Sequence, residues 1–177
     1  MANDYFLKID GVDGESQQTG HSKELEMDNW SFGESQSGVS ATATGSASGK
    51  VSLQDFRFSK RMDISSPKLM QFCSNGKHIK WARFTARRAG SEGGVPVDFL
   101  FVDFGDLVIS SYDISGTGAD GWPYESISFS YGSLVMTYKQ LSKGVAQGPI
   151  QGGYDAEKNV KIAQVADAPP ISSGAPA

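Results

Sequence analysis

The sequence predicts a mainly β protein, an antiparallel sandwich or barrel carrying one short α-helix. Three observations carry this. Roughly seven to nine stretches alternate apolar and polar side chains with period two, as half-buried strands do. Only one stretch has helical spacing, with start and stop residues at its ends. Twenty-one glycines among 177 residues supply the turns such a topology needs.

Residues 5–9 set Tyr5, Leu7 and Ile9 against Phe6 and Lys8, and Gly11 and Gly14 provide the exit turn. Residues 24–33 (ELEMDNWSFG) alternate too, but their two faces change character partway, which calls for a twist, a bulge or a subunit contact. Residues 38–50, GVSATATGSASGK, are nearly all small and read as a long exposed loop, either a flexible hairpin tip or a binding element. A strand resumes over 51–58.

Within DFRFSKRMDISSPKLMQFCSNGKHI, residues 55–79, Ser65 or Ser66 is placed to cap a helix, Pro67 suits its first position, and Gly76 ends it in the left-handed conformation. Leu69, Met70, Phe72 and Cys73 share one face, so this helix docks on a sheet. Strands follow over 78–88, 95–104, 106–115, 124–132 and 134–141, with Gly105 and the turn-rich 116–123 between them. Residues 1–163 form one domain. Residues 164–177, ending DAPPISSGAPA, have few bulky apolar side chains and are expected to be a disordered tail.

At 18.9 kDa the chain is large enough to bury its own core. Its net charge of -4 argues against a protein that coats nucleic acid or an anionic membrane, although a local basic strip is compatible with it. Cys73, the only cysteine, allows no intrachain disulfide and no Cys-based zinc site, and is expected to be a buried small hydrophobe. The N-terminal MANDYFLKID lacks the basic and apolar regions of a signal peptide, so any export is expected to use a route without a cleaved signal. No apolar run approaches membrane-spanning length.

Motifs that elsewhere carry chemistry lack their context here. Gly116, Gly118 and Gly121 have dinucleotide-loop spacing but lead into a β pattern rather than a helix, so they read as a surface turn. Asp103-Phe104-Gly105 stands without the other kinase motifs and reads as a hairpin turn. Asn29-Trp30-Ser31 is a chance glycosylation sequon within a strand. His21 and His78 have no spaced partner and read as surface or strand-end residues. Asp98, Asp103 and Asp106 lie close in sequence as a conceivable carboxylate pair, but solvated charge at hairpin ends is the better reading. Arg57, Lys60, Arg61, Lys77, Lys80, Arg83, Arg87 and Arg88 read as charged strand edges, with a phosphate groove or a charged subunit interface as alternatives. No catalytic or metal constellation emerges.

DYFLKIDGVDGES near the N-terminus, NWSFGESQSG at 29–38, the small-residue loop ending SGK at Lys50, and the strand-helix-strand of 55–79 together resemble the Hcp family of bacterial type VI secretion. GPIQGGYDAEKNVK is similar to that family's C-terminal segment, with Tyr154 where Trp is frequent. The resemblance spans about residues 4–163. It implies an antiparallel two-sheet β-barrel with one short α-helix, assembling as a hexameric ring. Such rings stack into the inner tube of a phage-tail-like apparatus, are exported, and hold effector proteins in their lumen.

Implied partners are therefore further copies of the chain, effectors, and the spike and sheath components, with no cofactor, nucleic acid or membrane insertion. On this reading the loop Val39, Ser40, Ala41, Thr42, Ala43, Thr44, Gly45, Ser46, Ala47, Ser48 and Gly49 contacts a neighbouring subunit or ring, because small residues permit close backbone approach. Ser31, between Trp30 and Phe32, is placed on the lumen face as a cargo contact. The competing readings are a carbohydrate-binding β-sandwich using Trp30, Trp81 and Trp122, and a phage tail-tube protein.

Overall fold

A computed structural model describes residues 3–36, 51–89, 95–118, 121–142 and 145–171. Ten strands and one helix follow in order: β1 (Asn3–Ile9), β2 (Leu25–Met27), β3 (Asn29–Gln36), β4 (Val51–Arg61), α1 (Ser66–Asn75), β5 (His78–Arg88), β6 (Val97–Ser115), β7 (Tyr124–Ser130), β8 (Ser133–Ser142), β9 (Val145–Asp155) and β10 (Val160–Lys161). Every pairing is antiparallel.

β1 pairs with β5 on one side and β2 on the other, setting Tyr5 against Ala86 and Met27. β2 runs through Asp28 into β3, and the ladder continues from β3 to β4, β7, β6 and back to β5. That circuit is a barrel. β8, β9 and β10 extend from the first half of β6 as a wing. The core is dense in phenylalanine: Phe56 lies 5.0 Å from both Phe104 and Phe129, and 5.8 Å from Phe84. Each such ring taken fully out of water contributes about 1.5–3 kcal/mol.

The expected hairpin turn at Asp103-Phe104-Gly105 does not form. β6 is continuous from Val97 to Ser115, and Gly105 is where it changes neighbours. Leu100 to Gly105 pair with β8, and Val108 to Ser115 pair with β7. Asp106 takes φ +56, the left-handed conformation that lets the strand swing between partners. Glycine is required at 105 by close approach: a Cβ there would meet Ser133 Oγ at 2.5 Å and Val165 Cγ1 at 2.8 Å.

α1 packs on β6, burying Leu69, with Phe72 and Cys73 half-buried; Met70, expected on the docked face, is exposed. Gly76 ends the helix at φ +62, and Gly76 and Lys77 donate to the Cys73 and Phe72 carbonyls. The expected serine cap is replaced by an aspartate turn. Ser65 Oγ donates to Asp63 Oδ1 at 2.5 Å, while Ser66 Oγ accepts from the Asp63 N–H at 3.0 Å. Pro67 is accordingly the second helical residue.

Asp63 also binds Lys60, which reads as a charged edge in the sequence but is 1% exposed. Its Nζ lies 2.7 Å from Asp63 Oδ1 and 2.9 Å from Glu125 Oε2, the latter an ion pair outside hydrogen-bond geometry. Tyr112 donates to the other Glu125 oxygen, and burial with that carboxylate pushes its phenol well up.

The expected tail divides at residue 171. Before it, Val165 and Ala168 are buried against Val135 and Trp81, and the Pro169 and Pro170 carbonyls accept from Arg83 at 2.5 and 3.4 Å. Residues 162–170 thus form a strap on the outer face of β5, β6 and β8. Residues 172–177 lie outside the described residues.

Candidate functional site

The sheet β3–β4–β7–β6 presents opposite chemistries on its two faces. Inward point Trp30, Phe56, Phe58, Ile127 and Phe129. Outward, the pairing partners run Ser31, Arg57, Ser128 and Ser111, with Asn29, Ser59 and Ser126 alongside. Hydroxyls dominate this face. They also bond one another: Asn29 Nδ2 donates to Ser59 Oγ at 2.6 Å, Ser110 Oγ to Asp55 Oδ2 at 2.6 Å, and Ser128 Oγ lies 2.8 and 2.7 Å from the Ser110 and Ser111 hydroxyls.

Ser31 is exposed beside Arg57, and the β3 register shifts between Ser31 and Gly33. That bulge is why residues 24–33 change character: it lets Trp30 and Phe32 both turn inward, with Trp30 4.5 Å from Phe84 and Phe32 5.7 Å from Phe104. The loop Val39–Gly49, which joins β3 to β4, lies outside the described residues.

A second surface emerges where the wing leaves the barrel. The cross-strand row Ala86, Leu100, Tyr138, Ile150 lies on one face of β5, β6, β8 and β9. Exposure rises along it. Ala86 is in the core, Leu100 is half-buried, Tyr138 is 44% exposed and Ile150 70%. The next row repeats the trend, from buried Phe84 and Val102 to Met136 at 39%. The sheet's apolar face therefore continues past the point where the chain covers it.

His21 is not a surface residue but is buried between two carboxylates. Nδ1 lies 2.7 Å from Glu24 Oε2, and Nε2 lies 3.2 and 3.3 Å from the Asp98 oxygens. Its ring stacks parallel on Phe6 at 4.1 Å. Arg87 grips Asp98 at 2.6 and 3.1 Å and donates to the Thr19 carbonyl at 2.9 Å. Burial opposes ionisation of Asp98, but hydrogen bonds from His21 and Arg87 prevail and hold its pKa down to about 2. Sequence spacing missed this cluster because its members lie on different segments; only His21 and Glu24 are near neighbours.

The three aspartates are not a carboxylate pair. Asp98 binds His21 and Arg87, Asp103 takes a two-point bond from Arg83 at 2.5 and 2.8 Å, and Asp106 lies 3.5 Å from exposed His78. The basic strip is also dispersed: Arg87 is buried and Arg83 half-buried, whereas Arg57, Arg61, Lys77, Lys80 and Arg88 are exposed. The three tryptophans share no platform. Trp30 is in the barrel core, Trp81 lies under the C-terminal strap, and Trp122 is exposed with its N–H bonded to the Met62 carbonyl. Among the described residues no group of three His, Cys, Asp or Glu side chains is placed to hold a metal, and no helix is long and apolar enough to cross a membrane.

The family model described as the type VI secretion system effector Hcp matches residues 6–138. The chain belongs to the Hcp family. Protein hcp1 of Pseudomonas aeruginosa is 36% identical over 163 residues, covering 91% of this chain and 99% of that protein. The crystal structure of Hcp1 from Salmonella typhimurium is similar with a TM-score of 0.74 and 33% identity, covering 92% of this chain and all of that one. A type VI secretion system effector from Yersinia pestis gives 0.69 and 31%, covering 85% and 98%. This Hcp chain is a structural component of the type VI secretion system, and neither the carbohydrate-binding nor the phage tail-tube reading is favoured. Its mainly antiparallel β-barrel with a single helix among the described residues matches the Hcp structures.

Proposed function

We propose that this Hcp protein closes into six-membered rings that stack as the inner tube of the type VI apparatus, is exported by it, and carries effector proteins in the ring lumen. Its role is structural rather than enzymatic. The supporting observation is the far end of the row from Ala86 to Ile150, where Tyr138 and Ile150 continue an apolar sheet face beyond its cover by the described residues. Such a face is satisfied by a neighbouring copy, and a head-to-tail contact repeated with the right rotation closes into a ring.

Two assignments follow within this reading. The loop Val39–Gly49 contacts the adjacent ring, since β3 and β4 bring Gln36 and Val51 together at the barrel end opposite Arg61. Ser31 contacts cargo, because it belongs to a hydroxyl-rich face with little to bury and much to hydrogen-bond. Spike and sheath components are the remaining partners. Electron microscopy of the purified full-length protein tests the assembly: six-fold rings with an open centre are expected, and monomers across a wide concentration range would overturn it.

A further inference from the structure

Residues 10–24, which join β1 to β2, are tied to the barrel at several points: the Asp10 N–H donates to the Trp81 carbonyl at 3.0 Å and Arg87 to the Thr19 carbonyl at 2.9 Å. Glu15 Oε1 accepts from the Ile64 N–H at 3.1 Å, beside the start of α1. At the other end His21, 5% exposed, lies between Glu24 and Asp98. A neutral imidazole donates from one nitrogen only, whereas a carboxylate faces each nitrogen here, so the arrangement is fully bonded only when both carry protons. His21, Arg87, Glu24 and Asp98 then sum to zero charge. Without the His21 proton they carry one buried negative charge in excess.

We propose that His21 is a proton-operated latch: charged, it clamps residues 10–24 onto the outer face of the barrel, and neutral, it releases them. Release has a structural target. Glu15, Ser16 and Gln18 form one wall of a cleft of about 620 Å³, whose other walls include Tyr5, Asp28, Arg61 and Trp122. Loosening the loop therefore reshapes this cleft.

The groups around His21 set the direction of the switch. Lys23 and Glu24 lie on its own segment, Arg87 on β5 and Asp98 on β6; Asp4 and Lys8 flank Phe6 on β1, and Glu26 is the β2 partner of Phe6. Burial lowers the pKa of His21, but the hydrogen bonds to Asp98 and Glu24 outweigh it and leave it above the ordinary 6.5. A raised pKa means that the clamping contribution is complete below 6.5 and is lost as pH rises through the folded value. The latch closes in acid and opens toward alkali. Between 6.5 and the folded pKa the opening equilibrium rises by up to about tenfold per pH unit, the slope of one proton, and above the folded pKa it levels off.

Hydrogen exchange of the full-length protein across pH 5.5 to 9, corrected for intrinsic rates, tests this. The reporters are the bonded amides of Gly14, Ser16, His21, Lys23 and Glu24. Wild type is expected to lose protection there with the one-proton slope while β5 amides hold, and His21→Gln to lose it at every pH with no slope. Asp98→Asn removes one carboxylate, lowers the folded pKa of His21 and is expected to end the rise at lower pH with a smaller total change, which keeps the test open if His21→Gln fails to fold. Protection that follows β5 throughout, a wild-type slope in His21→Gln, or an unchanged upper end of the pH window in Asp98→Asn would overturn the latch. None of these readouts depends on ring formation.

Discussion

Gly105 and Val165 meet at a contact that no side chain at 105 permits, with a Cβ there falling 2.8 Å from Val165 Cγ1. It is the seat of the C-terminal strap and the place where β6 exchanges β8 for β7. Gly105→Ala is expected to cost about 1–3 kcal/mol by overpacking. At Gly118 nothing lies within 4 Å of a built Cβ, so Gly118→Ala is expected to stay within about 0.5 kcal/mol of wild type. Urea unfolding of the two variants checks both.

Lys60 holds two carboxylates in a site closed to water. Lys60→Met leaves Glu125 and Asp63 unneutralised and is expected to destabilise the fold by about 3–5 kcal/mol, the range for breaking one side of a buried pair. Adding Glu125→Gln is expected to recover much of that loss. A double-mutant cycle by denaturant unfolding reads the coupling, and additive losses would refute it.

The Asp98 carboxyl, held down to about 2, stabilises the folded state above its unfolded pKa, and that contribution is lost as pH falls toward 2. Its full shift corresponds to about 2.5 kcal/mol, which partial solvent screening reduces to about 1–2 kcal/mol. The stability difference between wild type and Asp98→Asn is thus expected to be present at pH 5 and to vanish near pH 2. Thermal unfolding across that range measures it.

Ile150 stands at the uncovered end of the apolar row. Ile150→Asp is expected to leave the subunit folded, because the side chain is largely solvated in the isolated chain. It is also expected to weaken the subunit contact by at least about tenfold, since a desolvated unpaired carboxylate costs several kcal/mol. Sedimentation velocity distinguishes a ring from an 18.9 kDa subunit, and an unchanged ring would remove this face from the interface.

Deleting residues 41–48 is expected to stop tube growth while leaving rings intact in electron micrographs. Ser31→Gln, on the outer face beside Arg57, is expected to reduce capture of co-expressed effector without changing the ring. Unchanged stacking or unchanged capture would sink the respective assignment.

Much of the fold could be read from period-two patterning, because local alternation reports which face of a strand is buried. The irregularity near Ser31 is visible for that reason, and Gly76 ending α1 because a left-handed helix stop is itself a local signal. The errors share a cause. Gly105 looked like a turn because glycine in sequence does not reveal whether freedom of φ or absence of a side chain is needed. His21, Lys60 and Arg87 looked solvated because their partners lie on other strands or loops, and burial of a charge is decided by those partners rather than by local pattern. The apolar row was hidden for a related reason: Tyr138 resembles an ordinary alternating strand residue, and Ile150 lies in β9, beyond the last strand the patterning predicts.

The pairing of Tyr5 with Ala86 also sets a schedule. β1 leaves the ribosome first, yet its long ladder is with β5, which emerges some eighty residues later. At a synthesis rate of about 5–20 residues per second, that is a wait of roughly 4–16 s. Throughout it, Phe6, Leu7 and Ile9 have only the short β2 to pair beside. The nascent chain thus carries an apolar strand in search of an edge until β5 emerges. The way the barrel is closed leaves an unpaired apolar edge open to misassembly during synthesis.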